Sequence, residues 1–261
     1  MSNLSLAVRD SSTMLRRNLL HARRYPSLTL NLLLTPVMLL LLFVYVFGDA
    51  MSAGIGGGDR SDYVAYLVPG LLLMTIGSTT IGTAVSVSND MTEGIIARFR
   101  TMAIHRGSVL VGHVIGSVVQ SIMSVVLVGA VGVAIGFRSS DATVLEWLAA
   151  FGLVVLFTLA MTWIAVGMGL VSPNAEAASN NAMPLIFLPL ISSAFVPIDA
   201  MPGWFQPIAE YQPFTPAIET LRGLLLGTGI GHNGWLALGW CLALTALGYV
   251  WSKSVFNRGA K

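Results

Sequence analysis

Residues 89–108 read NDMTEGIIARFRTMAIHRGS, a short charged stretch between two long apolar runs. Asp90 and Glu93 are three apart, the spacing at which Asp90 can cap a helix start and Glu93 can reach back to it. Ile95, Ile96, Phe99 and Met102 then fall on one helical face, with Arg98 and Arg100 beside it. His105 and Arg106 close the stretch. The pattern predicts a short amphipathic helix over about 90–103, lying at a membrane surface. It would offer an apolar knob and a basic rim to something in the cytosol. A polar loop that only fixes topology is the plainer alternative.

The runs on either side belong to a chain of 261 residues that is 55% hydrophobic and only 10% charged. Soluble domains carry about 25% charge, so this is an integral membrane protein. The single cysteine, Cys241, allows neither a disulfide framework nor a cysteine metal site within one chain. Lys253 and Lys261 are the only lysines, so no GxxxxGK[ST] phosphate loop can be built. Any ATP hydrolysis must be done by another chain.

Upstream, residues 4–24 mix leucines with Arg9, Arg16, Arg17, Arg23 and Arg24 and read as an interfacial helix on anionic headgroups, or as a plain basic tail. Apolar runs then predict spans at about 27–47, 63–88, 109–137, 145–172, 182–198 and 235–251. In the second, Thr75, Thr79, Thr83 and Ser86 form a hydroxyl stripe on one face. The stripe could line a translocation path, or bond to neighbouring helices and to its own backbone. His113 lies one turn from the end of the third span and reads as a satisfied interfacial histidine. Residues 172–181 read as a short polar turn.

The fifth apolar run is broken by Pro184, Pro189 and Pro197, and Pro202, Pro207, Pro213 and Pro216 follow. We expect this span to stop and short helices to dip back into the outer leaflet over about 199–227. Thr215 and Pro216 suit the cap and first position of a helix over 216–226, on which Glu219 and Arg222 can pair. Six spans put both chain ends on one side with the central loop. Eleven Lys and Arg residues fall on that side and three on the other, which places it in the cytosol.

Missing chemistry narrows the function. No expected span interior holds Asp, Glu, Lys or Arg, which argues against an ion-coupled carrier or a charged channel filter. Paired carboxylates, HExxH, GxSxG and His/Cys clusters are lacking, so a membrane enzyme has little support. An apolar bundle with a docking helix suits a subunit driven by a partner.

The chain resembles the ABC-2 type permeases of the drug-resistance group, which export anthracyclines and related natural products. The matching residues are Glu93-Gly94-Ile95-Ile96, Arg98-Phe99-Arg100 and Val111-Gly112, then Gln212-Pro213-Phe214-Thr215-Pro216 and Glu219-x-x-Arg222-Gly223-Leu224-Leu225-Leu226-Gly227. Ala103 departs from the family, which often has proline there. The resemblance covers the whole chain, 1–261, as a single all-α transmembrane domain. It implies a second permease, identical or homologous, and two ABC ATPase subunits that bind ATP and Mg; this chain holds no cofactor of its own. Asp90, Glu93, Ile95, Ile96, Arg98, Phe99, Arg100 and Met102 would couple to the ATPase. Residues 172–181 would make a smaller contact, and Pro213, Glu219, Arg222 and Gly223 would belong to the outer re-entrant region. The expected partners are membrane lipid and a lipophilic substrate rather than nucleic acid, at a bacterial plasma membrane. Export of a lipid or lipid-linked glycan, or a scaffold role without transport, are the alternatives.

Overall fold

The computed structural model describes residues 26–48, 60–92, 106–139 and 141–258. Among them every regular element is helical: α1 Pro26–Tyr45, α2 Arg60–Thr92, α3 Arg106–Ala134, α4 Val144–Val171, α5 Ala175–Ala182, α6 Pro184–Leu190, a 3-10 turn Ile198–Ala200, α7 Gln206–Tyr211, α8 Phe214–Leu226 and α9 Asn233–Arg258. Four of them, α2, α3, α4 and α9, are long and apolar enough to cross a membrane. The expected interfacial helix over 4–24 and most of the central charged stretch, 93–105, lie outside the described residues.

α2 is the central post. Most of its side chains are buried, whereas α3 and α9 turn large apolar residues such as Met123, Val126, Leu242 and Leu247 outward. So much exposed apolar surface would not survive in water, and it suits lipid as solvent. α2 is longer than the expected 63–88 at both ends. Asp62 in its first turn complements the helix dipole, and at the other end the Thr92 hydroxyl bonds back to Ser88 O and Asn89 O.

α4 begins with a capping box: Glu146 N–H donates to Thr143 Oγ1 at 3.3 Å and Thr143 N–H to Glu146 Oε2 at 2.6 Å. It packs along α9, where a Cβ added to Gly167 would come within 2.5 Å of the Trp251 ring. Trp163 stacks edge-on against Tyr249, and the Ser252 hydroxyl donates to Trp163 O.

One stretch differs from the sequence reading. Residues expected as a polar turn at 172–181 contain α5, because Asn174 Oδ1 accepts from Ala177 N–H at 2.8 Å and an alanine-rich segment follows. The fifth apolar run is broken, as its prolines predict. Pro184 opens α6, which ends after seven residues at Leu190, and tight turns carry the chain to Pro197. This broken segment lies against a glycine seam on α2. A Cβ on Gly77 would stand 2.5 Å from Leu185 O, and one on Gly70 would stand 2.7 Å from Ala194 Cα. Only glycine lets the two backbones approach that closely.

Candidate functional site

The outer motif of the sequence folds into a buried polar knot. Pro213 is the N-cap residue of α8, so that helix starts two residues earlier than the expected 216. Thr215 is not its cap. Its hydroxyl donates instead to Ala209 O, and its Oγ1 accepts from Ser193 N–H at 3.3 Å and from Gln212 Nε2 at 3.2 Å. Gln212 Oε1 accepts from Phe214 N–H at 3.1 Å, and the Phe214 ring meets Phe157 of α4 edge-on. The motif therefore closes the α7–α8 corner onto the turn that follows α6.

Arg222 is the charged centre of the knot and is only 8% exposed. Its Nη1 pairs with Glu219 Oε1 at 2.6 Å, as the three-residue spacing predicted. Nη2 also donates to Ser193 O at 2.9 Å, and Nε and Nη2 both donate to Tyr66 O. Tyr66 lies one turn before Pro69, which has no N–H to give the neighbouring carbonyl of Ala65. The Tyr66 hydroxyl donates to Ser193 O at 2.9 Å and completes the ring of contacts. Gly223, next in the motif, accepts at its carbonyl from Gly227 and Thr228 N–H groups, where Gly227 takes φ +66 and ends α8.

The hydroxyl stripe lies inside the protomer. Thr75, Thr79 and Thr83 are buried and Ser86 is half-buried. Thr75 Oγ1 donates to Leu71 O at 2.7 Å, and Thr79 Oγ1 shares a 2.7 Å hydrogen bond with Ser121 Oγ on α3. At least half of the stripe thus bonds to its own helix or to a neighbour.

At the end of the bundle that carries the central loop, Glu93, Ile95, Ile96, Arg98, Phe99, Arg100 and Met102 lie outside the described residues. Asp90 does not start a separate helix. It belongs to the last turn of α2, because that helix continues to Thr92. Asp90 Oδ2 stands 2.9 Å from His113 Nε2 of α3, and both residues are buried. The contact is at ion-pair distance but lacks the alignment of a linear hydrogen bond. The sequence reading kept these two apart. Their shared nearness to the charged break was the one available signal. Nearby, Ser88 Oγ reaches Ser172 O and Asn181 Nδ2 reaches Ser172 Oγ, joining the ends of α2, α4 and α5.

The family model described as ABC-2 type transporter matches residues 10–226, from before α1 to the last residue of α8. This chain belongs to that family. It is 28% identical over 226 residues to the daunorubicin resistance ABC transporter permease protein DrrB1 of Streptomyces coeruleorubidus, covering 85% of this chain and 77% of that one. It is 23% identical over 160 residues to the probable doxorubicin resistance ABC transporter permease protein DrrC of Mycobacterium tuberculosis, covering 59% of this chain and 57% of that one. Nodulation protein J of Rhizobium meliloti is 22% identical over 213 residues, 74% of each chain. This ABC-2 protein is a multi-pass membrane protein and a transport permease. Membership implies an ABC ATPase and a further permease as its kinds of partner.

Proposed function

We propose that this chain is the permease subunit of an ATP-driven exporter that moves a lipophilic drug or natural product out of a bacterial cell. The observation that carries the reading is the ABC-2 match across α1 to α8, joined by likeness to anthracycline-resistance permeases. Six crossings serve it: α1, α2, α3, α4, the broken segment over 182–198 that holds α6, and α9. α1 has 20 residues, about 30 Å at 1.5 Å per residue, enough for the hydrocarbon core. The excess of Lys and Arg puts both termini and the central loop in the cytosol. There Ile95, Ile96, Phe99 and Met102 seat in an ATPase groove, with Arg98 and Arg100 at its rim. α5 offers a second contact. The knot around Arg222 closes the outer side. ATP and Mg bind the ATPase subunits, and a lipid-facing substrate suits walls almost free of charge.

The test is transport in inverted membrane vesicles containing this chain with an ABC ATPase encoded beside it. Daunorubicin fluorescence should show ATP-dependent uptake that vanishes without the chain. Uptake that is independent of ATP, or equal with and without the chain, would defeat the reading.

A further inference from the structure

The last turn of α2 is a poor place for a buried carboxylate. The helix dipole presents its negative end there, and Asp90 is only 8% exposed. Its partner His113, two turns into α3, is 3% exposed. Val87 and Met91 of α2 and Leu110 and Val114 of α3 belong to the small apolar cluster at this end, and they bracket the pair along both helices. Exclusion of water raises the cost of either group alone and strengthens their attraction. Such a pair adds little net stability compared with well-packed apolar side chains, and its best-attested use is to fix register. At this end of the two helices, apolar side chains specify the register of α2 on α3 less sharply than a directional polar contact does. A buried polar pair at 2.9 Å narrows that choice.

The place gives that register a use. α2 and α3 flank the 13 residues 93–105, which carry most of the side chains that the proposed function assigns to the ATPase contact. We infer that Asp90 and His113 are positioning residues whose pair locks the end of α2 to the start of α3, so that a push on the central loop moves both helices as one body. The inference rests on the proposed function for its coupling role, and its geometric part can be judged separately.

Spin labels at Thr92→Cys and Val111→Cys, both exposed positions, would read the spacing of the two helix ends in nanodiscs. The native thiol, Cys241, is buried. The parent should give one narrow distance. Asp90→Asn and His113→Asn should each broaden it, and the exchange variant Asp90→His with His113→Asp should narrow it again. One narrow distance in all of them would overturn the lock. Should a single variant fail to fold, recovery of monodisperse protein by the exchange supports the pairing, and failure of the exchange as well overturns it. With the ATPase present, substrate moved per ATP should fall by about threefold or more in the single variants and recover in the exchange. Broadened distances with unchanged transport per ATP would overturn the coupling role. If the unmodified chain shows no ATP-dependent transport, the functional reading falls, while the distances still decide the lock.

Discussion

The guanidinium of Arg222 lies over the ring of Tyr66, 3.8 Å from its centroid, and takes the Tyr66 carbonyl in two hydrogen bonds. The same group holds Ser193 O and Glu219. One side chain thereby joins α2, the turn after α6, and α8. Irregular backbone at membrane depth needs such donors, because no lipid tail can supply them. Arginine offers five in a fixed fork.

Arg222→Ala should therefore destabilise the fold by about 3 kcal/mol, as expected when one partner of a buried charge pair is removed. Arg222→Lys should recover only part of the loss, since a point charge cannot span the acceptors that the fork reaches. Arg138 is exposed and, among the described residues, bonds only the carbonyls of Val133 and Phe137 at the end of α3. Its replacement by alanine should cost under about 1 kcal/mol. Thermal unfolding in detergent compares the three, and equal shifts for Arg222→Ala and Arg138→Ala would count against the knot.

That knot shows where sequence reading stops. The Glu219–Arg222 pair was legible because a helix brings residues three apart together. Tyr66 lies 156 residues from Arg222, and no local period links them. The prolines announced a broken fifth segment, but not that Gly70 and Gly77 of α2 would receive it. Long apolar runs marked the four long helices. Asp62 fell before the expected span, and Asp90 read as the cap of a separate helix, because hydropathy does not register where caps and dipoles extend a helix. Asn174 hid α5 for the same reason. Asp90 and His113 were each visible, but their pairing needed α2 to run four residues past the expected 88.

The glycine seam gives a sharp contrast. Gly77→Ala places a Cβ 2.5 Å from the rigid Leu185 carbonyl and should destabilise by about 1–3 kcal/mol. Gly152→Ala, on α4, meets nothing within 4 Å and should be neutral or stabilising by up to about 1 kcal/mol. Similar melting temperatures for the two variants would mean that the broken segment does not press on α2.

The Thr79–Ser121 hydrogen bond should register as a modest coupling between α2 and α3. Thr79→Val and Ser121→Ala should each lower stability, and their double mutant should fall short of additivity by about 0.6 kcal/mol. Strict additivity in a double-mutant cycle would assign both hydroxyls to their own helices alone.

The central loop carries the last prediction. If its apolar side chains fill a groove on an ATPase subunit, Phe99 is the best single anchor. It is the largest apolar group among Ile95, Ile96, Phe99 and Met102, and Arg98 and Arg100 flank it. An aromatic centre with a basic rim is the composition of interface hot spots. Phe99→Ala should leave membrane insertion and abundance nearly unchanged, because the charged loop belongs outside the hydrocarbon. It should weaken ATPase binding by about 2 kcal/mol, roughly thirtyfold, and efflux should fall with it. Glu93→Ala should do less harm, since its expected contribution is to the start of the loop helix rather than to the groove. Co-purification of the ATPase subunit with each variant, alongside efflux in cells, measures both effects. Full recovery of the ATPase and full efflux with Phe99→Ala would reduce the loop to a topological connector, and would leave the residues around α5 as the contact to test next.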